Sequence, residues 1–85
     1  MFMVIDLSEY IGEVKNDTGV WGKAFIFNVI TERDNEPYTF ECILFVHKIV
    51  ESFITLNDED QIFDKDIILK LIFEKYTLTQ LLEVV

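Results

Sequence analysis

The side chains that could do chemistry here are few, and most are carboxylates. Asp58, Glu59, Asp60, Asp64 and Asp66 fall within nine residues, relieved only by Lys65. On helices and their caps, carboxylates three or four residues apart stand roughly 5 to 6 Å from one another, a spacing comparable with successive phosphates along a nucleic-acid strand. Such a surface can occupy a cationic groove built for DNA or RNA. The plainer reading is a solvated acidic connection whose last members cap a helix.

A second acidic group, Glu32, Asp34 and Glu36, surrounds Arg33 in a polar stretch that reads as a hairpin tip. If the two groups lie on one side of the fold, together they form an extended negative face. These eight carboxylates are the candidate partner-binding residues.

Other chemistries find little support. A calcium loop opening at Asp58 would place Ile62 at its fifth position and Phe63 where a glycine must turn the chain. Cys42 and His47 are the only cysteine and histidine, and a separation of five suits neither one face of a helix nor one face of a strand. Cys42 reads as a small core hydrophobe and His47 as exposed. Asp6 with Glu13-Val14-Lys15 loosely echoes the carboxylate and lysine set of metal-dependent nucleases, but an acidic chain repels that substrate. Trp21, Phe25, Phe27 and Tyr38 could stack bases, yet no flanking cations accompany them, so core packing explains them better. No glycine-rich phosphate loop, paired-cysteine zinc spacing or Ser-His-Asp order occurs, so no cofactor, metal or catalytic residue is expected.

Composition bounds the partners. Seven Lys and Arg against 16 Asp and Glu give a formal charge of −9, which disfavours direct contact with nucleic acid or an anionic membrane and favours a basic protein. A single cysteine excludes an intramolecular disulfide and fits a reducing, cytoplasmic setting. Asp6 breaks the apolar N-terminus early, without a basic region or cleavage site, so a signal peptide is not expected, and no apolar run approaches the roughly 20 residues that span a bilayer.

At 85 residues and 51% hydrophobic, the chain reads as one domain, 1–85, with enough apolar side chains for a core. So small a domain leaves some large apolar groups at its surface, where a partner or a second copy could cover them.

The elements that must position the carboxylates read as follows. Residues 6–16 suggest a short amphipathic helix with Leu7, Ile11 and Val14 on one side, weakened by Gly12. Residues 21–31 alternate as a buried strand, and Tyr38, Phe40, Cys42 and Leu44 alternate as its hairpin partner. From residue 45 the period changes: Val46, Ile49, Val50, Phe53 and Leu56 suggest a helix over 45–56, or one longer helix opened by Pro37. Asp60 or Asp64 caps a helix through Tyr76, with Lys75 in its last turn, and Thr77 with Gln80 has capping-box spacing before a final short helix. The expected fold is α+β, a β-hairpin or small antiparallel sheet packed with two to four helices.

The leading functional expectation is a small non-catalytic inhibitor or immunity-type protein that blocks a basic nucleic-acid-binding enzyme by carboxylate mimicry of phosphates. Small size and acidity also suit a phage or other mobile-element origin. The alternative is an assembly subunit that forms a homodimer or larger homo-oligomer through its apolar stretch from Ile67 to Val85. An uncharacterised enzyme is the third.

Overall fold

The computed structural model describes residues 2–58 and 62–85. Strands β1 (Met3–Lys15), β2 (Trp21–Arg33), β3 (Glu36–Val46) and β4 (Phe53–Leu56) form one antiparallel sheet in chain order, followed by helices α1 (Lys65–Lys75) and α2 (Leu78–Leu82). The architecture is α+β, with a four-stranded sheet and two short helices.

Alternation in β2 divides the sheet into two faces. Phe25, Phe27 and Val29 are completely buried and meet Ile68, Ile72 and Leu81 of the helices, together with Phe40, Cys42, Leu44 and Ile54 of β3 and β4. Ile26, Asn28 and Ile30 point the other way. The β2–β3 hairpin closes through Arg33 opposite Glu36, and its two tip residues, Asp34 (φ 53°) and Asn35 (φ 64°), both adopt the left-handed conformation. Asp and Asn tolerate that region, so this dipeptide fits a tight two-residue turn whose twist matches the strands.

The expected N-terminal helix is instead β1. Its register against β2 slips between Leu7 and Glu9 and again between Tyr10 and Gly12, so Ser8 and Ile11 are bulge residues. Each inserted residue breaks the two-residue period, so Leu7, Ile11 and Val14, whose spacing suits a helix, are an inward residue, a bulge residue and an outward residue of the strand. Gly12 at φ 123° supplies the backbone geometry that the second bulge needs.

The helix expected over 45–56 is also absent, as is the longer one from Pro37. β3 continues to Val46, the chain turns over 47–52, and β4 follows. Leu44, Phe45 and Val46 are all buried, although they alternate between the two faces of the sheet. Leu44 and Val46 face the helices, while the ring of Phe45 on the other face lies over Gly22 and stacks on Phe53 at 5.1 Å. Such a run carries no strand period. His47 turns the chain, its Nδ1 accepting hydrogen bonds from the amides of Ile49 and Val50.

The C-terminal helices follow their caps. Asp64 accepts from the Asp66 amide at 2.9 Å, and Asp66 and Lys75 complement the α1 dipole. Thr77 and Gln80 form both halves of the capping box before α2.

Candidate functional site

One member of the first acidic group, Asp58, is tied to the β2–β3 hairpin that carries Glu32, Asp34 and Glu36. Tyr38, opposite Thr31 on the helix-facing side, donates its hydroxyl to Asp58 Oδ1 at 2.6 Å. The other carboxylate oxygen, Oδ2, accepts from the amides of Ile62 at 2.9 Å and Phe63 at 3.0 Å. The Phe63 ring then stacks on Tyr38 and Phe40, with centroids 5.9 and 5.4 Å apart, and the Arg33 guanidinium lies 5.8 Å from the Tyr38 centroid. One carboxylate and one aromatic cluster thus fasten the 58–63 connection to the hairpin.

Placement separates the candidate carboxylates into two kinds. Asp58 is only 5% exposed, and its charge faces inward onto the donors that hold it, so its role is to position the connection. Asp34, Glu36, Asp64 and Asp66 are exposed, and Glu32 is half-buried. The Arg33–Asp34 contact of 3.9 Å involves a side chain 92% exposed on the Asp34 side and neutralises little. Glu59 and Asp60 lie outside the described residues.

Asp64 and Asp66 follow Phe63 directly, so its stacking carries α1's acidic first turn toward the hairpin. The fasteners Tyr38 and Phe63 were not recognised from sequence as site residues. Tyr38 alternates with its strand, and Phe63 is one of eight Phe, so neither carries a distinguishing local pattern.

Elsewhere the chemistry is quiet. Cys42 is fully buried, and burial pushes its thiol up to about 11, against a smaller lowering from its backbone hydrogen bond with Phe27. It holds no thiolate at neutral pH. His47 sits in the turn after β3 rather than on a helix face. Asp6 lies opposite Asn28 on one face of the sheet and pairs with Lys75 at 2.8 Å, whereas Glu13 lies opposite Lys23 on the other face. They cannot share a metal. Among the described residues no group of His, Cys, Asp and Glu is placed to hold a metal ion, and no buried side-chain polar atom lacks a hydrogen-bond partner.

The aromatic set also disperses. Phe25 and Phe27 are in the core, Tyr38 is bound to Asp58, and Trp21 lies exposed at the opposite end of β2, with Lys15 5.3 Å from its ring. No helix among the described residues is long and apolar enough to cross a membrane. No protein-family model matches the chain, and neither a curated protein nor a solved structure shows significant similarity to it.

Proposed function

We propose that this chain is a small acidic, non-catalytic binding protein that blocks a basic nucleic-acid-binding protein by presenting carboxylates where phosphates would sit. The observation that supports this reading is the Tyr38–Asp58 hydrogen bond, because it ties the connection leading to Asp64 and Asp66 to the hairpin that carries Glu32, Asp34 and Glu36. A pre-ordered acidic surface loses less conformational entropy on binding than a flexible acidic tail. It also speeds association with a cationic groove, in a salt-dependent way. The setting proposed is cytoplasmic and the origin a phage or other mobile element.

The test is a neutralised variant, D34N/E36Q/D64N/D66N, in which the amide that replaces the Asp64 carboxylate keeps a side-chain oxygen for the helix cap. Against a basic DNA-binding protein that the wild type retains, the variant should bind at least tenfold more weakly and with a shallower salt dependence. Equal affinity for both forms would remove the reading.

The second reading, self-assembly through residues 67–85, has a smaller surface to use. Ile68, Ile72 and Leu81 are buried in the chain's own core, which leaves Ile67, 57% exposed, as the main large apolar group that α1 offers outward. Light scattering over a concentration series separates the readings, since assembly requires a mass that rises with concentration.

A further inference from the structure

The helices cover one face of the sheet, and among the described residues no helix or strand covers the opposite face. Its strand positions carry Val4 on β1, Ile26 and Ile30 on β2, Ile43 on β3 and Phe53 on β4, and the register places Ile26 opposite Ile43 and Val4 opposite Ile30. Val4, Ile30, Ile43 and Phe53 are each between 39% and 45% exposed. Ile26 and Ile43, with Phe53 one row further along, form one apolar group, and Val4 with Ile30 forms a second beyond the polar row Asp6–Asn28–Glu41; large apolar groups gathered on one uncovered face mark an interaction surface more often than scattered single residues do.

The charged positions on the same face are all acidic. Asp6 lies opposite Asn28, Glu9 opposite Ile26, Glu32 opposite Pro37, and Glu41 opposite Asn28 from the other side. Among the described residues, none of this face's strand positions carries Lys or Arg, and Lys75 comes round the β1 edge to pair with Asp6. Lys23, Arg33 and Lys15 fall on the helix-facing side of the register.

This charge pattern selects the occupant. A second copy would set this acidic group, Glu9, Glu32 and Glu41, against the same group of the other chain across a partly desolvated interface, where like charges cost several kcal/mol. A lipid surface with anionic headgroups meets the same repulsion. We infer that the open sheet face, with Ile26 and Ile43 at its centre and Glu9, Glu32 and Glu41 around them, binds a basic amphipathic helix of another protein, one with an apolar stripe flanked by Lys or Arg. Ile26 to Ile30 spans roughly 13 Å along the strand, so a helix of about ten residues, roughly 15 Å long, covers the patch. This surface shares Glu32 with the acidic end on which the proposed function rests, while its apolar centre, Ile26 and Ile43, lies outside that end.

Two fluorescein-labelled 18-residue peptides of identical Leu and Lys composition test it, one with the leucines in a helical stripe and one scrambled. Anisotropy titrations should show at least tenfold preference for the striped peptide. I26T/I43T keeps the charge and the β-branched strand character, and should lose at least fivefold of striped-peptide affinity, whereas I67T on exposed α1 should lose less than twofold. D34N/E36Q/D64N/D66N should keep the stripe preference, so the acidic-end proposal can fail without this one. Circular dichroism and thermal melts establish that each variant is folded. Equal binding of the two peptides, equal losses from I67T and I26T/I43T, or a concentration-dependent dimer that I26T/I43T abolishes would each overturn the inference.

Discussion

The Tyr38 hydroxyl donates to Asp58 across 2.6 Å, joining β3 to a connection twenty residues further along the chain. A hydrogen bond to a buried carboxylate contributes about 1.5 to 3 kcal/mol, and removing the acceptor strands its donors. Tyr38→Phe should therefore lower unfolding free energy by about 1 to 2 kcal/mol. Asp58→Ala, which also abandons the Ile62 and Phe63 amides, should cost about 3 kcal/mol. Urea denaturation of both single variants and the double variant measures the coupling, and losses that simply add would contradict the link.

Gly22 lies beneath the Phe45 ring. A Cβ there would collide with that ring and lie 2.5 Å from the Val46 carbonyl oxygen, so neither the side chain nor the backbone can yield cheaply. Gly22→Ala should destabilise by about 2 to 3 kcal/mol through overpacking. Gly19→Ala meets no neighbouring atom and is opposed only by its φ of 83°, which costs about 1 kcal/mol. Thermal melts of the two should rank in that order.

The buried Cys42 thiol gives a pH signature. Its proton is held up to about 11 in the folded chain against an ordinary 9.0, so the folded state binds the proton more tightly than the unfolded state does. The resulting stability is fully present below pH 9 and is lost as pH rises toward 11. Cys42→Ala should flatten that decline while lowering stability at neutral pH by about 1 to 2 kcal/mol through the cavity it leaves. In the wild type at neutral pH, a thiol reagent should react at a rate limited by opening of the core.

β1 is an edge strand, and the end of α1 occupies its outer edge. Lys75 Nζ donates to the Ile5 carbonyl at 2.9 Å and to Asp6, while the Leu7 amide donates to the Tyr76 hydroxyl at 3.4 Å. With the bulges at Ser8 and Ile11, these contacts blunt an edge that could otherwise pair with another chain. K75M/Y76F should aggregate faster on mild heating, as read by light scattering, and an unchanged rate would show that the bulges alone suffice. The hydrogen bond to Asp6 raises the Lys75 pKa above its ordinary 10.5. The contribution of this contact therefore persists below that pH and disappears as pH climbs beyond it.

The C-terminal helices and the central hairpin were readable because their determinants are local. Asp64, Lys75 and the Thr77–Gln80 box act within one turn, and Phe25, Phe27 and Val29 alternate without interruption. β1 and β4 were obscured by tertiary effects. Bulges at Ser8 and Ile11 broke the alternation of β1, and burial of Leu44, Phe45 and Val46 on both sheet faces hid the period that would have extended β3. The candidate carboxylates were readable as a charge pattern. The inward turn of Asp58 was not, because Tyr38, Ile62 and Phe63 converge on it only once the sheet has formed.

The most direct test of the proposed function is paired affinity capture from the native host on immobilised wild type and on D34N/E36Q/D64N/D66N, whose formal charge is −9 + 4 = −5. The account predicts a basic protein retained by the wild type alone, released by raising salt and displaced by duplex DNA. A protein retained equally by both forms, or one held regardless of salt and DNA, would contradict it.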